Sequence, residues 1–135
     1  INVDIRTLPG ESTAEVQQHL DEALGDLSDQ VEVEIIMNDP ASISQVDNPL
    51  WDTIQKAVNQ PFPTARLSPQ LIVGFTDARV YRNLGSVAYG AGLFSPDLKA
   101  SDFMSRFHGH DERIDVESLS LTTQFWLDVC HDFQG

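Results

Sequence analysis

The first 37 residues show an alternation of apolar and polar side chains, then a helical repeat, then a second alternation. Residues 1–6 alternate, which predicts a strand with one buried face. Ser12 and Glu15 form a capping-box signature that opens a helix, and Gly25 stands where that helix should end. Residues 31–35 alternate again. The pattern therefore predicts a β-α-β unit.

Beyond a polar, turn-rich stretch at residues 38–48, the pattern changes to helices and fully buried strands. Short continuous apolar runs at 71–74 and 87–90 are typical of strands covered on both faces. Three capping signals predict helix starts: Asn48 or Asp47 before Pro49, the pair Thr76-Asp77, and Asp115. Residues 49–135 therefore predict one side of an α/β sheet.

Composition narrows the possible partners. The chain has 135 residues and a formal net charge of −13, so nucleic acid would be repelled over most of the surface. The sequence contains no run of 18 apolar residues of the kind that would indicate a membrane span. Its single cysteine excludes an intrachain disulfide. The chain starts with Ile rather than Met, which suggests a fragment. A cytoplasmic location is expected, although a missing N-terminus would hide a signal.

The sharpest candidate for chemistry is the segment 107–113, which places two imidazoles and two carboxylates within five residues. His108, His110, Asp111 and Glu112 offer the nitrogen and oxygen ligands that hydrolytic zinc sites use. The alternative is a solvated polar turn before the last helix, and the spacing alone favours that alternative.

Two further positions suit an anionic ligand. The turn from Thr76 to Arg79 follows a predicted buried strand, and such turns direct backbone N–H groups at the strand's end. An ordinary helix cap explains the same residues. Arg6 ends the first predicted strand and could grip a carboxylate through two parallel hydrogen bonds, or simply form a surface ion pair.

Taken in order, these pieces resemble the C-terminal half of one enzyme family. The pieces are INVDIRTLPG at residues 1–10, Pro49-Leu50-Trp51, GFTDAR at 74–79, Tyr89-Gly90 with LFSP at 93–96, and HGHDERI before the last helix. The resemblance is to the aminoacylase, acetylornithine deacetylase, succinyl-diaminopimelate desuccinylase and glutamate carboxypeptidase family of dizinc metallopeptidases and amidohydrolases.

The resemblance implies a fold and a domain division. Residues 1–42 would be the second, β-α-β half of an α+β two-layer sandwich that forms the lid and dimerisation domain. Residues 43–135 would be the C-terminal segment of the α/β catalytic domain. The N-terminal half of the parent would supply the remaining metal ligands and the catalytic base, so no catalytic residue is expected in this chain.

The resemblance also implies residue roles. His108 would be the last ligand of one of two zinc ions, whereas His110 falls at a variable position. Asp111 and Glu112 would support that ligand without touching the metal. Arg6 would bind the substrate's carboxylate, and the cleft would be lined by Thr76, Arg79 and Gly92.

The function expected from this reading is hydrolysis of an amide or peptide bond in N-acyl amino acids or small peptides that carry a free carboxylate. The chain alone is expected to be inactive, and a homodimer through the lid is a possible assembly. The alternative is a non-catalytic interaction or dimerisation module, which would have no use for a metal-ligand loop and a carboxylate clamp together.

Overall fold

The computed structural model describes residues 1–134 and the side chains of residues 1–133. Its regular structure over these residues is entirely helical. In chain order the elements are α1 (Thr13–Leu24), a 3₁₀ helix (Gly25–Gln30), α2 (Pro49–Asn59), α3 (Ala78–Asn83), α4 (Ala100–Met104) and α5 (Val116–Gln134).

The predicted α/β class, with its β-α-β sandwich half and its buried strands, is wrong for the described residues, where no strand or sheet forms. Alternating apolar and polar residues suit a strand with one buried face. A strand forms, however, only when a neighbouring strand completes its backbone hydrogen bonds. The apolar residues of these segments are instead exposed, at 70% for Val3, 55% for Ile35 and 81% for Val73.

The chain divides into two compact units. One consists of residues 1–44 and 71–88, and the other of residues 45–70 and 89–135. We call them unit 1 and unit 2 and describe each by itself. The assignment of 1–42 and 43–135 to two domains of the family fold follows a different boundary and stays a prediction.

Unit 1 is held together mainly by capping and by polar contacts. Ser12 forms the predicted capping box, because its backbone N–H donates to the Glu15 carboxylate at 2.7 Å and its hydroxyl accepts the Glu15 backbone N–H. Gly25 ends α1 at a φ of 52°. Further along, the Arg82 guanidinium donates to the carbonyl of Ala88 at 2.6 Å and to the hydroxyl of Ser44 at 3.1 Å. The contact with Ser44 joins positions 38 residues apart in the sequence, whereas Ala88 is only six residues from Arg82.

Unit 2 contains the buried core of the described residues. The helices α2 and α5 pack together through Ile54, Ala57, Val58, Phe125 and Val129, with Leu93 completing the cluster. Burying apolar surface is the main favourable term in such packing. The fixed ends and faces of these two helices therefore determine where the neighbouring loops lie.

The start of α2 agrees with the capping signal in the sequence. Asn48 accepts the backbone N–H of Trp51 at 3.1 Å, and Pro49 occupies the first turn, where its missing N–H costs nothing. The Asn48 amide also donates to the Tyr89 hydroxyl, and the Tyr89 ring meets the Trp51 ring edge-on at 5.3 Å. The cap thus joins α2 to the segment that begins at Tyr89.

Phe125 is the largest fully buried side chain of this core, at 1% exposure. We expect Phe125→Ala to lower the free energy of unfolding by about 3–5 kcal/mol, because it removes buried apolar surface and leaves a cavity. Phe133→Ala on the same helix is the matched control, since that ring is 54% exposed. Its effect should stay within about 0.5 kcal/mol. Equal losses in denaturant unfolding would contradict the core described here.

Candidate functional site

The segment 107–114, here called the histidine loop, lies between α4 and α5 in unit 2. The side chains of His108, His110, Asp111 and Glu112 are all exposed. His108 has a φ of 54°, the only positive value at a non-glycine residue in the described part of the chain. That left-handed backbone costs roughly 1–2 kcal/mol for a residue with a Cβ, so the surroundings of the loop must hold it there.

The side chains of the loop have the donor chemistry of zinc ligands, but within residues 1–134 they do not form a zinc site. An exposed imidazole has the right donor chemistry, but a hydrolytic zinc takes three protein ligands in a fixed geometry. Within residues 1–134 no three or more His, Cys, Asp or Glu side chains are placed to hold a metal. A complete site would need ligands from outside these residues.

The two ends of the histidine loop are joined by an ion pair. Arg106 precedes the loop and Asp115 follows it, and Nη1 of the arginine lies 2.7 Å from Oδ2 of the aspartate. The Asp115 carboxylate also accepts the backbone N–H and the hydroxyl of Ser118, both at 2.8 Å. Asp115 is therefore the cap of α5 that the sequence predicts and, in addition, the partner of Arg106.

These hydrogen bonds favour the ionised form of Asp115. The pKa of Asp115 is lowered from its ordinary 3.8 to about 2, first by the Ser118 backbone N–H, then by the Ser118 hydroxyl, and to a smaller extent by Arg106. The Ser118 hydroxyl in turn accepts the backbone N–H of Ser95 at 2.9 Å, and Ser118 itself is fully buried.

The segment that contains Gly92 lies along α5. The hydroxyl of Thr122 accepts the backbone N–H of Leu93 at 3.0 Å and donates to the carbonyl of the same residue. A Cβ on Gly92 would sit 3.4 Å from the Thr122 hydroxyl, which is ordinary contact. Gly92 is thus placed by the face of α5 behind it, and its role in lining a substrate cleft stays a prediction.

Inside the loop, Asp111 pairs with Arg113. Nη1 of the arginine lies 2.9 Å from the Asp111 carboxylate and 2.8 Å from its carbonyl oxygen. Both side chains are well exposed, at 49% for Arg113 and 85% for Asp111, so solvent screens the pair strongly. The predicted support of the His108 ligand by Asp111 and Glu112 stays a prediction.

Arg6 lies in unit 1, at a shallow cavity of about 290 Å³ that is also lined by Glu11, Glu15 and His19. Its guanidinium donates to the carbonyl of Val73 at 3.0 Å and to the carboxylate of Asp4 at 2.5 Å. The side chain is half exposed. A substrate carboxylate would have to share or replace the contact with Asp4.

The turn before α3 also lies in unit 1. Thr76 is exposed, and its carbonyl accepts the backbone N–H of Arg79. The Arg79 guanidinium pairs with Asp39 at 3.2 Å and lies 3.7 Å over the Phe75 ring. Asp77 makes no side-chain cap. The substrate-binding roles of Thr76 and Arg79 stay predictions.

Sequence reasoning found His108, His110, Asp111 and Glu112 together, and the structure places them on one loop. It missed Arg106, which closes that loop. The only available signal was an arginine and an aspartate flanking a turn-rich stretch, and that pattern is common on protein surfaces. These loop residues belong to unit 2, whereas Arg6, Thr76 and Arg79 belong to unit 1.

Comparison with known families gives the class of protein. Residues 3–132 match the sequence profile of Peptidase family M20/M25/M40. The match covers nearly the whole chain, so the chain belongs to this family of peptidases, as the motifs in its sequence indicated.

Individual relatives refine the comparison. The chain is 27% identical over 126 residues to a probable carboxypeptidase S-like 2 of Dictyostelium discoideum, covering 92% of this chain and 23% of that protein. It is 29% identical over 129 residues to the N-fatty-acyl-amino acid synthase/hydrolase PM20D1 of Xenopus tropicalis, covering 94% and 24%. A Danio rerio protein with the same activity name, PM20D1.1, is 30% identical over 122 residues, covering 87% and 23%.

The chain thus spans about a quarter of the length of the curated relatives it matches. It matches no solved structure. None of the helices among residues 1–134 has the length and apolar character needed to cross a membrane.

The acid titration of Asp115 tests the geometry at the end of the histidine loop. NMR of the carboxyl carbon should give a pKa of about 2, and Ser118→Ala should raise it, because one stabilising hydrogen bond is lost. Since folding lowers this pKa, the carboxylate's contribution to stability is fully present above about pH 4 and is lost as the pH falls toward 2. Ser101→Ala, which removes an exposed hydroxyl beside Asp102, is the control. An unchanged Asp115 pKa in Ser118→Ala would refute the contact.

Proposed function

We propose that this chain forms part of a zinc-dependent hydrolase that cleaves the amide bond of N-acyl amino acids or small peptides with a free carboxylate. The observation that carries the proposal is the exposed His108, presented at a left-handed backbone position in a chain of the M20/M25/M40 peptidase family. The chain's share of the active site is one metal ligand and one candidate carboxylate clamp. We assign the remaining metal ligands to residues outside positions 1–134.

The names of the relatives support this substrate class. One is a probable carboxypeptidase and two are N-fatty-acyl-amino acid synthase/hydrolases. A peptide attacked at its C-terminus and an N-acyl amino acid share the same chemical group, an amide bond one carbon away from a free carboxylate. A site for either substrate needs a cation for the carboxylate and a way to activate water near the amide carbonyl.

His108 and Arg6 match these two requirements. Zinc, when bound, supplies a water of lowered pKa and polarises the scissile carbonyl. The part of this chain is to hold one coordination position with an imidazole whose loop is fixed at both ends. Arg6 offers a planar guanidinium at the surface of unit 1, where it pairs with the carboxylate of Asp4.

A second proposal, a non-catalytic interaction or dimerisation module, has its own observation in its favour. Within the described residues the alternating segments of unit 1 leave Val3, Val31 and Val33 exposed, at 70%, 44% and 40%. Exposed apolar residues beside extended backbone suit pairing with another chain, including a second copy. The variants below separate the two proposals, because an interaction module gains nothing from a metal-binding imidazole.

The role of His108 is tested by paired histidine substitutions in the full-length protein that contains this chain. His108→Ala should lower kcat/KM for an N-acyl amino acid at least about 100-fold and reduce the zinc content, because an inner ligand should matter more than an outer one. His110→Ala, two residues away in the same exposed loop, is the matched control and should keep both zinc and activity. An inactive His110→Ala beside a fully active, zinc-loaded His108→Ala would overturn the assignment.

The role of Arg6 is tested by changing both the protein and the substrate. Arg6→Ala should raise KM by roughly 10- to 100-fold for a substrate with a free carboxylate, because charge-assisted hydrogen bonds are lost. The same substrate with its carboxylate converted to a methyl amide should be a poor substrate for both proteins and should show little difference between them. Zinc content should not change. If Arg6→Ala affected both substrates equally, Arg6 would not be the carboxylate clamp.

A further inference from the structure

The ion pair between Arg106 and Asp115 differs from the other charge contact of the histidine loop. The Arg106 side chain is only 18% exposed, whereas the Arg113 side chain within the loop is 49% exposed. A half-desolvated ion pair is screened less by water and salt than an exposed one. Of the two pairs, only Arg106–Asp115 spans the loop from one end to the other.

The Asp115 end of this pair is firmly anchored. Its carboxylate caps α5 through the Ser118 backbone N–H and hydroxyl, and the buried Ser118 hydroxyl accepts the backbone N–H of Ser95. The base of the loop is thereby tied both to the long helix of unit 2 and to the segment that packs along it.

The Arg106 end is anchored by aromatic packing. The rings of Phe94, Phe103 and Phe107 stack edge-on in sequence, with centroids 4.6 Å and 4.7 Å apart. Phe107 directly precedes His108. The ring column holds the first residue of the loop, and the ion pair holds the distance between the loop's two ends.

The Nε atom of Arg106 indicates that this residue does more than stabilise the fold. Its Nε is buried and, among the described residues, has no hydrogen-bond partner. A buried unpaired N–H on a charged group is unfavourable, so an arginine here needs a compensating role. The contact that it does make, from Nη1 to Asp115, closes the loop that holds His108 in its left-handed conformation.

We propose that Arg106 and Asp115 act together as a positioning pair that fixes the histidine loop so that the His108 imidazole is presented to the metal. This inference rests on the proposed function, since it takes His108 as a metal ligand. Neither member of the pair touches the metal or the substrate. Because a single nitrogen of Arg106 carries the contact, a lysine at position 106 should be able to replace it.

The test measures zinc affinity by chelator competition in the full-length protein that contains this chain. Arg106→Gln should weaken zinc binding about 10- to 100-fold, the range found when a group that orients a metal ligand is lost. Arg106→Lys should restore most of that affinity. Arg66→Gln removes the same charge from an exposed residue of unit 2 and should bind zinc as the unchanged protein does.

A second readout separates positioning from general folding. In the metal-free protein, Arg106→Gln should speed amide hydrogen exchange across residues 107–114, while α5 keeps its protection because Asp115 still caps it. Equal exchange in the loop for Arg106→Gln and Arg66→Gln would overturn the proposal.

Asp115→Asn provides an independent variant should Arg106→Gln fold poorly. Asparagine is also a good helix cap, so α5 should persist while the charge facing Arg106 is lost. Its zinc affinity should fall as far as that of Arg106→Gln, and the double variant should fall no further, because the two residues act as one unit. Losses that multiply in the double variant would contradict the pair.

His108→Ala separates a failure of the proposed function from a failure of the positioning pair. If it retains zinc and activity, the proposed function fails, whatever Arg106→Gln does. If His108→Ala loses both while Arg106→Gln and Asp115→Asn bind zinc normally, the proposed function stands and the positioning pair is wrong.

Discussion

The placement of unit 2's parts depends on one buried hydroxyl, that of Ser118. It donates to Asp115, which caps α5, and it accepts from the backbone of Ser95, which belongs to the segment along the helix. With no exposure to water, the hydroxyl must find both partners within the protein, since an unpaired buried group would cost stability. Farther along the same helix, Phe125 and Val129 lie in the core.

The helix starts were readable from the sequence because capping is local. Ser12 with Glu15, and Asn48 with Pro49, each place a side-chain acceptor within three residues of the N–H groups that need it. The short helix α4 gave no such signal, since Lys99 before it makes no side-chain cap. Its position depends on aromatic contacts of Phe103 with residues before and after it in the chain.

The strands could not be judged in the same way. Residues 1–6 and 31–35 have the composition of strands. The hydrogen bonds of a strand, however, come from a neighbouring strand, and the sequence of the segment itself does not identify that neighbour. Within residues 1–134 that neighbour is absent, and the segments stay outside any sheet. The prediction failed at the step from local preference to long-range pairing, which is where tertiary context decides β structure.

The candidate site likewise has features that the sequence predicts and features that depend on long-range contacts. The residue types at 108–112 revealed the possible ligands, because imidazole and carboxylate chemistry is visible in the sequence. The backbone strain at His108 and the contact of Arg106 across the loop depend on how the chain closes around that segment. The pairing of Arg79 with Asp39, 40 residues apart, was equally invisible and changes how free that arginine is.

The uncovered alternating segments have a colloidal consequence. Extended backbone beside apolar side chains recruits further extended chains and can grow into cross-β aggregates. At neutral pH a net charge of −13 keeps copies of the chain apart by mutual repulsion. Near the isoelectric point of about 4.3 that repulsion vanishes. We therefore expect mildly acidic buffers and high salt to favour association of copies of the chain, and neutral, dilute buffers to oppose it.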